Sequence, residues 1–120
     1  MDNFNYKEFE TRINKEDFIE LYPTIKHELW FSDLEMEKFP FPQSASSLAG
    51  RYLIKKAIAD FLHENDLMHE VEILNNEMGK PEIRIGSLVS KRIKEAGISE
   101  IHCSISHSRK YITGLTVISF

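Results

Sequence analysis

The 120-residue chain contains a single cysteine, Cys103, which rules out an internal disulfide and suits a reducing compartment. It has no apolar run near the roughly 20 residues that a membrane-spanning helix needs. Its first residues, Met1 to Asn5, have neither the basic start nor the apolar core of a secretory signal. The expectation is a cytoplasmic protein with no membrane contact. Positive charge is also in short supply. The net charge is −4, and residues 1–50 carry five Lys/Arg against ten Asp/Glu, whereas residues 51–120 carry ten against nine. A general nucleic-acid binder needs a basic face to meet phosphates, so that class is set aside. The local run Arg84, Lys91, Arg92 and Lys94 reads as a solvated helix face. Repeats and low-complexity segments are absent. What remains, 42% hydrophobic and 28% charged residues, is a globular composition long enough for one core and one domain, residues 1–120.

Ser47 to Leu62 is the stretch around which the chain is organised. Leu48, Ala49, Tyr52, Leu53, Ile54, Ala57, Ile58, Ala59, Phe61 and Leu62 cover more than one helical stripe, which predicts a helix in contact with protein round most of its circumference. Arg51, Lys55 and Lys56 interrupt it. Arg51 and Lys55 are four apart and share a face, while Lys56 lies about 100° further round. Either their long stems cover core while the heads reach water, or the cations gather an anion.

Upstream, Tyr6, Phe9, Ile13, Phe18 and Leu21 recur at mostly helical spacing, predicting one helix or two short ones ended near Pro23. Ser32-Asp33-Leu34-Glu35 has the spacing of a capping box, so a short helix begins at Asp33 and stops before Pro40-Phe41-Pro42. Gln43 to Ser47 reads as a loop whose serines can cap the central helix. Downstream, Val71 and Ile73 alternate with polar residues as a half-buried strand does. Asn75 to Gly79 turns, and Ile83 and Ile85 mark the return strand. Leu88, Val89, Arg92, Ile93 and Ala96 predict an amphipathic helix stopped at Gly97. Ile101, Cys103 and Ile105 alternate, Ser106 to Lys110 turns, and Tyr111 to Phe120 runs back. The layout is α+β: an antiparallel sheet packed on a long central helix.

Two turns hold the chemistry. Gly79-Lys80-Pro81 combines a glycine that lets backbone approach a ligand, a mobile cation and a rigid φ. Ser106-His107-Ser108 offers two hydroxyls and an imidazole, groups that suit phosphate oxygens. Cys103 and His107 as a thiol nucleophile with its base is the poorer reading, because a lone cysteine alternating with isoleucines is core. His102, Cys103 and His107 are too few for a zinc site.

The order Leu48-Ala-Gly-Arg-Tyr-Leu-Ile-Lys-Lys-Ala57, then Val71-Glu-Ile-Leu-Asn-Asn-Glu-Met-Gly-Lys-Pro81, then His102-Cys-Ser-Ile-Ser-His-Ser-Arg-Lys-Tyr111 resembles the holo-acyl-carrier-protein synthase family of 4'-phosphopantetheinyl transferases over roughly residues 29–120. The resemblance implies a single 4'-phosphopantetheinyl transferase-like module, with residues 1–28 as a divergent N-terminal helical segment. It implies transfer of the phosphopantetheine arm of coenzyme A to a serine of an acyl carrier protein, with release of 3',5'-ADP, in fatty acid or polyketide synthesis. The expected ligand is coenzyme A, the expected partner an acyl carrier protein or a synthase subunit, and the expected assembly a homotrimer with its clefts between neighbours. Carried over by position, Lys55 would stand beside the pyrophosphate as the catalytic candidate. Lys80, Ser106 and His107 would surround the phosphates, with Arg51, Lys56, Gly79 and Pro81 in the same coenzyme-binding set.

The chain also departs from the family's pattern. The family's helix motif reads Lys-Glu-Ala, and its glutamate holds Mg²⁺ together with an aspartate from an N-terminal Gly-x-Asp strand. Here Lys56 takes the glutamate's place, and Met1 to Glu10 contains no glycine, leaving only Asp2, Glu8 or Glu10 as substitutes. The expectation is that Mg²⁺ is not bound. Lys56 then either supplies a built-in positive charge or pairs with Asp60 one turn later. A non-catalytic relative that binds coenzyme A or a carrier protein is the alternative to an active transferase. The acidic N-terminal part also differs from the basic region with which the family meets its carrier protein.

Overall fold

The structure is a computed structural model that describes residues 5–120, so Asp2 lies outside the described residues. Its axis is helix α4 (Ala45–Leu62), in which Leu48, Ala49, Ile54, Ile58 and Ala59 are completely buried. Only Lys56 and Asp60 are exposed along its length. The helix begins two residues before the expected serine loop ends, and no serine side chain caps it. His63 closes it in the left-handed region at φ 55°, donating its N–H to Ala59 O.

A three-stranded antiparallel sheet lies across α4 in the order β1-β5-β4, from β1 (Tyr6–Asn14), β4 (Glu100–His107) and β5 (Tyr111–Ser119). Phe9 and Ile13 of β1, Ile101, Cys103 and Ile105 of β4, and Ile112, Thr116 and Ile118 of β5 share the face towards α4. Close approach of helix and sheet needs glycine on both sides. A Cβ on Gly50 would lie 2.5 Å from Ile105 Cγ2, and one on Gly114 would lie 3.0 Å from Leu53 Cβ.

Residues 6–14, expected to be helical, are therefore a strand. Phe9 and Ile13 stand four apart, a spacing that a helical stripe and every second pair of a strand face have in common. What decides between them is the nine-residue pairing with β5, from Tyr6↔Ser119 to Asn14↔Tyr111. Only the second half of the expected helix exists, as α1 (Lys15–Leu21), capped by Asn14 Oδ1, which accepts from Glu16 N at 2.8 Å.

A 3-10 turn at Tyr22–Thr24, a single helical turn α2 (His27–Trp30) and α3 (Asp33–Lys38) lead into α4. The capping box at Ser32 is formed as expected: Ser32 Oγ accepts from Glu35 N, and Glu35 Oε1 accepts from Ser32 N. Beyond α4, β2 (Val71–Asn75) and β3 (Pro81–Ile85) make the expected hairpin, and α5 (Ser87–Glu95) ends before Gly97, whose φ is +75°. This hairpin is a sheet of its own, so the two candidate turns do not share one sheet edge.

Candidate functional site

The cations of α4 fall into two groups, Arg51 with Lys55 on the buried side and Lys56 on the exposed one. Lys55 has no exposed side-chain surface, and its ammonium donates to Glu35 Oε1 (2.5 Å), Trp30 O (2.8 Å) and Met68 O (3.1 Å). An ammonium has three N–H groups, and all three are used. Arg51 is 2% exposed; its Nε donates to Ile73 O, Nη1 to Ser47 O and Nη2 to Asn75 Oδ1, and its guanidinium carbon lies 3.8 Å from the Phe39 ring centroid. The heads do not reach water: Lys55, the expected catalytic residue at the pyrophosphate, and Arg51, the expected nucleotide contact, are bonded to groups of the protein itself. Both hold the fold together, because a cation buried this deeply must be paired internally.

The partner that sequence reasoning missed is Glu35. Fully buried, it receives Lys55 and Ser32 N on one oxygen and Ile73 N at 2.9 Å on the other. The capping box located this residue, but one local bond did not disclose that its second oxygen crosses to β2.

Desolvation pulls Lys55 down to about 8, with Glu35 opposing the shift through charge and hydrogen bond. The unfolded chain keeps this lysine near its ordinary 10.5. Below pH 8 both states hold the proton and the burial cost is carried in full. Above it the folded state releases the proton first, so stability rises with pH. Burial pushes Cys103 up to about 11 and raises Tyr22, and both act in the opposite sense from about pH 9 upward. Between pH 8 and 9 the wild type is therefore expected to gain up to about 1.4 kcal/mol relative to Lys55→Met in urea denaturation. A gap that stays constant over that interval would show that the buried ammonium keeps its proton.

Lys56 differs in kind. Its side chain is 46% exposed and donates to Asp60 Oδ1 at 3.1 Å, the i,i+4 pairing that was one of its two expected states. At the β2–β3 tip, Asn76 Oδ1 accepts from both Met78 N and Lys80 N, while Gly79 N donates to Asn76 O and Asn76 N to Lys80 O. Gly79 takes φ +80°, which explains a glycine there. The amides of Asn76, Met78, Gly79 and Lys80 are thus spent inside the turn, and the Lys80 side chain is exposed. Ser106 and His107 are exposed at the end of β4, where alternation turns Ser106 to the outer sheet face and His107 to the α4 side. Among the described residues, no hydrogen bond joins Lys56, the Gly79–Pro81 tip and the Ser106-His107 pair to one another. Pro81 instead borders a surface depression with His102 and Cys103. A groove of about 440 Å³, unforeseen from the sequence, runs past Lys38, Phe39, Asn75, Asn76 and Arg84.

No family model matches the chain. The holo-[acyl-carrier-protein] synthase of Halothermothrix orenii is 37% identical over 73 residues, 58% of each chain, and that of Fusobacterium nucleatum is 35% identical over 75 residues, 62% of this chain and 61% of that one. The chain spans about three fifths of the length of these curated relatives. Among solved structures, the Chronobacterium ammoniagenes complex of this synthase with coenzyme A matches with a TM-score of 0.76 at 25% identity, over 95% of this chain and 96% of that one. The Neisseria meningitidis synthase gives the same TM-score at 22% identity, over 92% and 95%. In sequence over these stretches, and in fold over nearly its whole length, the chain is similar to holo-acyl-carrier-protein synthases.

Within this family's fold the metal question can be put to the side chains. Glu8 and Glu10 stand on the β1 face turned away from α4, since Phe9 between them packs on Phe61 of the helix. Lys56 contributes an ammonium where the family's glutamate would be, and among the described residues no three His, Cys, Asp or Glu side chains gather as metal ligands. A Mg²⁺ ion takes six oxygen ligands in near-octahedral array, mostly from water and phosphate, and is anchored to a protein by one or two carboxylates. Among the described residues, Lys56, Glu8 and Glu10 do not fit that anchor.

Proposed function

We propose that this chain is a 4'-phosphopantetheinyl transferase-like protein that binds coenzyme A, with 3',5'-ADP as the nucleotide half of its ligand. The observation that carries this is the likeness, over nearly the full length of both chains, to a family structure holding coenzyme A. Lys80, Ser106 and His107 are exposed and unpaired among the described residues, and suit the ligand's phosphates. Their separation within one chain favours a homotrimer whose cleft draws on two neighbours. In the transfer, a serine oxygen of an acyl carrier protein bonds to the phosphorus bearing pantetheine. The pyrophosphate P–O bond breaks, 3',5'-ADP leaves with the electron pair, and the serine proton passes to solvent. Lys56, exposed on α4, is the cation assigned to the pyrophosphate in this reading.

A second reading, a non-catalytic subunit that binds coenzyme A or a carrier protein, is favoured by the pairing of Lys56 with Asp60, which leaves the α4 surface without a metal-binding carboxylate of its own. Thermal unfolding with coenzyme A or 3',5'-ADP tests what the two readings share. At a hundred times the dissociation constant, a ligand confined to the folded state adds about 2.7 kcal/mol, and Lys80→Ala is expected to reduce the shift. If neither compound moves the transition at millimolar concentration, coenzyme A binding is refuted. Mass spectrometry of apo carrier proteins incubated with coenzyme A then separates the transferase from the silent binder.

A further inference from the structure

Among the described residues strand β2 has one neighbour only, β3, and its other edge faces protein. The hairpin ladder closes at Asn76 with Lys80 and at Glu70 with Gly86, so even-numbered residues of β2 exchange backbone bonds with β3. The peptide groups of Ile73 consequently point to the open edge. Buried backbone groups without partners are costly, and an open edge is usually covered by another strand. Here side chains cover it. Ile73 N donates to Glu35 Oε2 at 2.9 Å, and Arg51 Nε donates to Ile73 O at 2.7 Å. A carboxylate and a guanidinium thus stand where a third strand would place its carbonyl and its amide.

The same guanidinium ties this edge to three other points. Nη2 reaches Asn75 Oδ1 at 3.0 Å, one residue before the turn, and Nη1 returns to Ser47 O at 3.1 Å on α4 itself. The ring of Phe39, just beyond α3, covers the planar face. Only an arginine meets such a set, because its donors lie in one plane in fixed directions, whereas a lysine presents a point charge that satisfies one acceptor well.

We infer that Arg51, acting with Glu35, is the positioning residue of the coenzyme A site: by completing the open edge of β2 it sets the hairpin that carries Lys80 and Pro81 against the body of its own protomer. The inference rests on the coenzyme A reading above. A phosphate-binding lysine at the tip of a two-stranded hairpin has to be held to within about 0.5 Å of its working position, and a hairpin of two strands does not hold itself. The turn is rigid internally through Asn76, so motion of the tip is motion of the whole hairpin about the edge that Arg51 and Glu35 secure.

The test is calorimetric titration of coenzyme A into the wild type, Arg51→Met, Arg51→Lys and Ile118→Ala, with amide hydrogen exchange measured on each. Ile118 is buried in the other sheet, in the same apolar core as Val71 and Ile73, so its truncation destabilises the fold while leaving every hydrogen bond to the β2 edge in place. Arg51→Met is expected to weaken binding at least tenfold, with faster exchange at Ile73 and through Met78 to Lys80. Arg51→Lys is expected to recover only part of the affinity, and Ile118→Ala to bind within twofold of wild type. Arg51→Met binding within twofold, or Ile118→Ala losing as much as Arg51→Met, overturns the positioning role. If Arg51→Met does not fold, Arg51→Lys carries the comparison. A wild type that binds no coenzyme A removes the parent reading instead. The exchange rates then still decide whether Arg51 sets the hairpin, and unchanged hairpin exchange in the Arg51 variants overturns that.

Discussion

Replacing Glu35 by alanine is expected to cost about 3–5 kcal/mol of folding stability, the loss that follows when one member of a buried ion pair is removed and the other charge is left uncompensated. The expectation is large because Glu35 has no solvent exposure and four groups lose their acceptor or counter-charge together: the Lys55 ammonium, Ser32 N, Ile73 N and, through the field, Arg51. Lys55→Met is expected to fall in the same range. The double variant Lys55→Met/Glu35→Ala removes both charges and so recovers part of the loss. It does not recover all of it, because the amides of Ser32 and Ile73 and the carbonyls of Trp30 and Met68 still lose their partners. Urea denaturation of the four proteins closes a double-mutant cycle, and a coupling energy near zero would mean that the two charges do not interact in solution.

The largest functional effect concerns Mg²⁺. In a family member with its glutamate and aspartate in place, metal and nucleotide support each other's binding, a coupling that in linked sites typically amounts to about 5–150-fold. In this chain that coupling is expected to be absent or reversed. The exposed ammonium of Lys56 repels a second cation, and Glu8 and Glu10 face away from the helix. Coenzyme A is therefore expected to bind no more tightly in Mg²⁺ than in EDTA, with little transfer to ordinary acyl carrier proteins. Lys56→Glu is expected to bring back a measurable preference for Mg²⁺ without full activity, since no strand aspartate accompanies it. Titration calorimetry in the two buffers reads this directly. A wild type that binds several-fold tighter with the metal would require ligands beyond those of a single described chain, and would place the active transferase ahead of the silent binder.

Much of the fold was legible because its signals are local. The apolar circumference of Leu48 to Leu62, the capping box at Ser32, the glycine at the β2–β3 turn and the alternation of Ile101, Cys103 and Ile105 each depend on neighbours within a turn or two. The three motif blocks were likewise readable as a family resemblance. Residues 6–14 were misread because their strand state comes from pairing with β5 at the other end of the chain, and no local period encodes that partner.

Sequence by itself determined that α4 would be buried and that Arg51, Lys55 and Lys56 would lie on it. Tertiary structure alone decided what each cation does. At 100° per residue, one step along the helix carries the chain from Lys55, which meets Glu35 arriving from α3, to Lys56, which meets water and Asp60. The outcome depends on which distant carboxylate and which strand edge arrive at that face. A lysine's own chemistry is the same in both places, so only the packing of α3 and β2 against α4 could make one of them a buried tie and leave the other free to meet a ligand.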